Sequence, residues 1–118
     1  MTIRDKLKYL YKHIDDIKSD ISTITTDYIN DLGGDKGIYI SDHAIVRYLE
    51  RIENYSFNKG FTDSEKLNSY PGYIKDIRDI MLTLEEDRKI LLNQKPFFNR
   101  GKYSYIIKEL TVVTVLLN

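Results

Sequence analysis

A heptad repeat of apolar side chains runs through the amino-terminal quarter of the chain. Intervals of four and three residues alternate without a break, and neither proline nor glycine occurs in residues 2–32. Such a 3.5-residue period is typical of a helix that keeps one seam facing a partner helix. The pattern therefore predicts one long helix over residues 2–32. Its seam is formed by Ile3, Leu7, Leu10, Ile14, Ile17, Ile21, Ile24 and Tyr28.

Charges beside this seam suggest what the partner helix is. The flanking position is basic early, at Lys6, and acidic late, at Asp27. An antiparallel pair would bring Lys6 of one copy near Asp27 of a second copy. We therefore expect a homo-oligomer whose interface is the seam from Leu7 to Tyr28. The alternative is an amphipathic helix that packs on its own domain.

A glycine-rich stretch separates this helix from the rest of the chain. Gly33 can take the left-handed conformation that ends helices, and two more glycines follow it closely. We place a boundary here, between a helical arm at residues 1–35 and a domain at residues 36–118. Residues 38–40 are expected to be extended and to lead into a helix that starts after Ser41 and runs to Ile52.

The second half of the chain changes from helical to strand periodicity. Thr62 and Glu65 match a capping box before a short helix. A further helix is expected from Tyr73 to Glu86, and a strand or its start at residues 89–93. Alternating β-branched and aromatic residues predict strands at 103–108 and 111–117, after a turn within residues 96–102. The predicted class is α+β, with two to three helices packed on a carboxy-terminal antiparallel sheet.

Composition narrows the functional classes. The formal net charge is zero, which counts against tight non-specific RNA binding. The chain has no cysteine and two histidines, and no metal-ligand spacing is visible, so neither a metal nor a cofactor is expected. No apolar run approaches the roughly 20 residues of a membrane span, and the first residues lack the apolar core of a signal peptide. We expect a cytoplasmic protein without a membrane partner.

The helix after Ser41 carries the clearest candidate chemistry. His43, Arg47 and Arg51 are spaced four residues apart, and Glu50 lies beside Arg47 on the same polar stripe. A first-turn histidine above two arginines is a suitable place to hold a phosphate. An exposed helix face with one ion pair would show the same pattern.

This helix and the last strand together resemble a known group of proteins. A helix reading His-Ala-x-x-Arg-Tyr-x-Glu-Arg, a second helix and a sheet that closes on Thr-Val-x-Thr-Val-Leu resemble small phage and prophage proteins. Their fold is like that of the RelE-type endoribonuclease toxins, the barnase–EndoU–colicin–RelE group. The resemblance covers about residues 38–118. The matching residues are His43, Ala44, Arg47, Tyr48, Glu50, Arg51 and the strand from Thr111 to Leu116.

The resemblance implies metal-free RNA cleavage by attack of a 2′-hydroxyl on the adjacent phosphorus. Such a reaction needs a proton shuttle and cations for the charge that develops on the phosphate. In this interpretation His43 moves protons, Arg47 and Arg51 hold the phosphate, and Thr114 adds a hydroxyl donor. Tyr103 or Tyr105 would stack on a base.

A second hypothesis is a non-catalytic phage anti-defence protein. It would act as an oligomer in the host-cell cytoplasm, and would bind a nucleotide signal in an arginine-lined pocket or a host protein. Oligomer interfaces can form such pockets. RNA, a nucleotide and a host protein are thus all candidate partners.

Overall fold

The computed structural model describes residues 2–12 and 18–118. These residues contain six helices and four strands, in the order α1-α2-β1-α3-α4-α5-α6-β2-β3-β4. The predicted α+β class is confirmed. The helices are α1 Ile3–Lys12, α2 Lys18–Leu32, α3 Asp42–Arg51, α4 Asp63–Ser69, α5 Ile74–Met81 and α6 Leu84–Asn93. The strands are β1 Tyr39–Ile40, β2 Phe97–Asn99, β3 Tyr103–Lys108 and β4 Thr111–Leu117.

The four strands form one mixed sheet in the order β1-β4-β3-β2. β3 pairs antiparallel with both β2 and β4, but β1 pairs in parallel with β4. The predicted carboxy-terminal antiparallel sheet is thus confirmed for β2, β3 and β4, whereas the complete sheet is mixed because it includes β1. β1 is separated from β4 by four helices and two strands, and such a long connection lets a strand enter a sheet in the parallel direction.

Helix α3 covers one face of this sheet. Its Tyr48 ring meets the Tyr103 ring of β3 edge to face, with centroids 6.0 Å apart. Tyr105 is fully buried and shares the Tyr103 face, because side chains alternate along a strand. Thr114 pairs with Ile106, so both of these side chains lie on the opposite face of the sheet.

The described residues of the heptad segment form two helices, α1 and α2, and the predicted single long helix is not shown. α1 contacts α2, and Leu7 and Tyr28 are only 0% and 5% exposed because they lie in the core of the same chain. The Tyr28 hydroxyl donates to the Gly37 carbonyl at 3.1 Å, and Ile24 packs against this core. Leu10 and Ile21 belong to α1 and α2, whereas Ile14 and Ile17 lie outside the described residues.

The predicted helix from Tyr73 to Glu86 is two helices. α5 ends at Met81, and Leu82 is extended with a φ of −144°. Thr83 then starts α6 with a capping box, since its hydroxyl accepts from the Glu86 amide and the Glu86 carboxylate accepts from the Thr83 amide. Residues 89–93 are therefore helical, and the strand predicted there is wrong.

Several local predictions are confirmed. Ser41 caps α3 by accepting a hydrogen bond from the Ala44 amide at 3.1 Å. Thr62 and Glu65 form the expected capping box at the start of α4. β3 and β4 occupy the predicted residues, and β2 lies within residues 96–102, before the turn that is predicted there.

A buried carboxylate fixes the start of β1. Asp87 is 0% exposed and accepts hydrogen bonds from the Gly37 amide at 3.1 Å and the Ile38 amide at 2.8 Å. The Arg88 guanidinium contacts the same carboxylate at 2.6 Å. Because a buried carboxylate is costly unless its oxygens are bonded, this arrangement holds the chain before β1 against α6.

Candidate functional site

The polar stripe of α3 faces α4 and solvent. The opposite side of α3 is buried through Ala44, Ile45, Val46 and Leu49, which attaches the helix to the sheet. His43, Arg47 and Glu50 are thereby turned outward, at the spacing that the sequence predicts. α4 packs beside them and contributes Asp63 and Lys66 to the same surface.

His43 lies between a carboxylate and a guanidinium. Its Nδ1 is 3.1 Å from Asp63 Oδ2, and its Nε2 is 3.4 Å from the Nε of Arg47. A carboxylate accepts and a guanidinium donates, so in neutral His43 the proton belongs on Nδ1 and the lone pair on Nε2. The two neighbours therefore favour the same tautomer.

Arg47 also bonds to a carboxylate of its own helix. Its Nη1 donates to Glu50 Oε1 at 3.2 Å, and the other oxygen of Glu50 accepts from Lys66 Nζ at 3.4 Å. We call these five side chains the His43 cluster: Asp63, His43, Arg47, Glu50 and Lys66.

The His43 cluster is accessible but electrically balanced. The His43, Arg47 and Asp63 side chains are 44%, 38% and 37% exposed. With neutral histidine, its two cations are matched by two carboxylates. An incoming anion must therefore compete with Glu50 for Arg47, and ion pairs at this exposure are weak enough to be exchanged.

Arg51 does not join this cluster. Its Nη1 donates to the Val115 carbonyl of β4, which attaches the end of α3 to the sheet. The expected convergence of His43, Arg47 and Arg51 on one phosphate is thus absent among the described contacts. Arg51 follows His43 by eight residues and so lies on the same stripe, but its guanidinium reaches the backbone of β4 and bonds there.

Thr114 is also placed elsewhere. It lies on the face of the sheet that points away from α3, opposite Ile106. Its hydroxyl is therefore not positioned to donate to a phosphate held at His43.

Arg100 bonds to both the half-buried Tyr103 and the buried Tyr105. Arg100 Nη1 donates to the Tyr103 hydroxyl at 2.9 Å and to the Tyr105 hydroxyl at 2.7 Å, and its Nε contacts Glu86 at 2.7 Å. Burial raises the pKa of Tyr105, an effect that the nearby Arg100 charge partly offsets. Since Tyr105 is fully buried, its ring is not available to stack on a nucleic-acid base.

The sequence did not single out Asp63 and Lys66 as functional residues. Asp63 follows His43 by 20 positions, across a polar stretch with no periodicity. The capping box at Thr62 located α4 correctly, but no local signal specified that α4 packs against the polar stripe of α3.

Within residues 2–12 and 18–118, no three histidine, aspartate or glutamate side chains are grouped so that they could hold a metal ion. None of the helices described there is long and apolar enough to cross a membrane. Comparisons of the chain with protein families, curated proteins and solved structures found no match.

Proposed function

We propose that this chain is a phage-type, RelE-like endoribonuclease that cleaves RNA without a metal, with His43 as its proton acceptor. The observation that carries the proposal is the geometry of the imidazole. Asp63 on Nδ1 and Arg47 on Nε2 both favour the tautomer whose Nε2 lone pair can take a proton. The dyad of a carboxylate and a histidine is a common way to orient a general base.

The reaction follows from this arrangement. Nε2 of His43 removes the proton of a 2′-hydroxyl, and that oxygen forms a bond to the adjacent phosphorus. The bond from phosphorus to the 5′ oxygen breaks, and water supplies the proton to the leaving oxygen. The products are a 2′,3′-cyclic phosphate and a 5′-hydroxyl. Asp63 stabilises the imidazolium that forms.

Arg47 is the cation for the developing charge on the phosphate. It lies next to Nε2 of His43, where a phosphate beside the attacked hydroxyl would be. Substrate binding exchanges both Glu50 and His43 Nε2 for phosphate oxygens at Arg47, which frees the Nε2 lone pair to take the proton, while Glu50 keeps its contact with Lys66. Arg51 and Thr114 have no part in this proposal, because both lie elsewhere.

The test is cleavage of a labelled single-stranded RNA by the full chain in the presence of a chelator. We expect His43→Ala to reduce the rate by about 10²- to 10⁴-fold, the usual contribution of a general base. Arg47→Ala should cost about 10²-fold through lost charge stabilisation. His13→Ala replaces the only other histidine and is the matched control, with an expected rate equal to that of the parent chain. Equal cleavage by the His43→Ala and parent proteins would disprove the role of His43.

Asp63 acts through His43, so its role needs a separate measurement. Imidazole ¹⁵N NMR is simple in a chain with two histidines. We expect His43 to show the tautomer protonated on Nδ1, and Asp63→Ala to give a mixture of tautomers together with slower cleavage. A His43 signal that does not change in Asp63→Ala would rule out the orienting role, even if cleavage slowed for structural reasons.

The charge balance of the His43 cluster favours a second candidate function, the binding of a host protein without catalysis. A surface without net charge does not require a polyanionic partner, which fits a host-protein partner as expected for a non-catalytic anti-defence protein. A purified parent chain that does not cleave RNA but forms a stable complex with one protein of the host cytoplasm would support this candidate. A homo-oligomer through the heptad seam would require Leu7 and Tyr28 to leave the core that they now occupy.

A further inference from the structure

A second site lies at the free edge of the sheet. A cavity of about 390 Å³ opens between β1 and α5, a volume within the range of small-molecule sites. Three cations and one carboxylate line it, together with three residues around β1. The lining residues are Lys36, Ile38, Tyr39, Ile40, Lys75, Arg78 and Asp79.

The backbone of β1 adds a hydrogen-bonding edge to this cavity. The Tyr39 amide donates to the Leu110 carbonyl just before β4 at 2.9 Å, and the Ser41 amide donates to the Val112 carbonyl of β4 at 3.0 Å. Since alternate residues of a strand point to opposite edges, the amide and carbonyl of Ile40 face away from β4. Asp87 fixes the chain at Gly37 and Ile38, so this edge is held in place before any ligand arrives.

The cations of this cavity are only weakly engaged. Lys36 pairs with Asp79 at 3.2 Å, but the Asp79 side chain is 60% exposed. Arg78 approaches Asp42 at 3.7 Å, and both side chains are about half exposed. No described carboxylate forms an ion pair with Lys75. Surface pairs of this kind contribute about 0–1 kcal/mol, so all three cations remain free to bind an anion.

We propose that this cavity binds a small phosphate-bearing ligand of the nucleotide class. Arg78 presents paired donors that match phosphate oxygens, and Lys36 and Lys75 add point charges. The half-buried Ile40 side chain provides a surface for the uncharged part of the ligand, and the outer backbone edge of β1 offers it hydrogen bonds. This site differs from the His43 cluster and does not depend on the proposed nuclease activity.

The experiment is calorimetric titration of the full chain with AMP, inorganic phosphate and adenosine. We expect AMP to bind most tightly, inorganic phosphate more weakly and adenosine least. The exposed pair Lys75→Ala/Arg78→Ala should weaken AMP binding at least 10-fold, and Arg78→Lys should weaken it less. Lys89→Ala removes an exposed lysine of α6 and is the matched control.

Three outcomes of the titration would overturn the proposal. They are no binding of AMP or phosphate at millimolar concentration, equal binding of AMP and adenosine, or equal AMP affinity in the parent and double-variant chains. Binding of an acidic peptide along β1 in place of AMP would overturn it as well. His43→Ala should leave AMP affinity unchanged, so failure of the nuclease proposal and failure of this one are separable.

Discussion

Single side chains far apart in sequence decide how the candidate chemistry is arranged. His43 and Arg47 were expected to meet because one helical turn separates them, and they do. Asp63 completes the dyad only because α4 packs on α3. Arg51 obeys the same helical spacing but is bonded to the β4 backbone. Helical periodicity therefore specifies which face a side chain occupies, whereas tertiary packing selects its partner.

Tyr48 gives a prediction about stability and pH. It is 4% exposed, and burial, reinforced by the neighbouring Tyr103, raises its pKa to about 12. An unfolded chain loses this proton near pH 10, while the folded chain keeps it. The unfolded state then binds fewer protons, so the free energy of unfolding should fall between pH 10 and 12, by about 1 kcal/mol per pH unit for this group.

Urea unfolding at a series of pH values checks this prediction. Burial raises the pKa of Tyr28 and Tyr105 too, so these residues act in the same direction. Tyr48→Phe should make the decline less steep, whereas Tyr73→Phe at an 80% exposed position should leave it as in the parent chain. A decline of equal slope in the Tyr48→Phe and parent chains would contradict the assigned burial of the hydroxyl.

Helices and strands with a strong local signal were predictable from the sequence. Ser41 and Thr62 offer side-chain caps at the starts of α3 and α4, and alternating β-branched residues define β3 and β4. The boundary between α5 and α6 has a signal of the same kind in Thr83 and Glu86. This boundary lies inside a continuous apolar periodicity, so the periodicity alone predicts a single helix.

Other elements depend on contacts that the local sequence does not specify. β1 has two residues and exists because β4 lies beside it. The β3–β4 turn has positive φ at Glu109, 50°, and Leu110, 62°, a two-residue turn built without the usual glycine or asparagine. Leu110 is buried, which compensates for the backbone strain at this position.

At the scale of the whole molecule, α1 and α2 pack on the core of their own chain, and this packing explains the heptad repeat. A 3.5-residue period shows that a helix has a partner, but does not show whether that partner belongs to the same chain. Leu7 and Tyr28 belong to a hydrophobic core that also includes Leu49 and Leu91. The described parts of the 1–35 segment thus share a core with the domain that follows.

A substitution of Leu7 distinguishes a heptad seam that packs within one chain from a seam that packs between two copies. Leu7→Ala should lower the free energy of unfolding by about 2–5 kcal/mol through a cavity in the core. The melting temperatures of the parent and variant chains should not depend on protein concentration, as expected when the partner helix is in the same chain. Lys6→Ala, one position earlier and exposed, is the control and should change little. A parent melting temperature that rises with concentration, and a Leu7→Ala chain that lacks this rise, would favour a seam between copies.

The central proposal is that His43 takes a proton from a 2′-hydroxyl of RNA. The most direct measurement uses a DNA oligonucleotide with a single ribonucleotide, incubated with the full chain in chelator. We predict one cut, directly after the ribonucleotide, that leaves a 2′,3′-cyclic phosphate and is lost in His43→Ala but kept in His13→Ala. An intact oligonucleotide, or a cut at a position without a 2′-hydroxyl, would contradict the proposal.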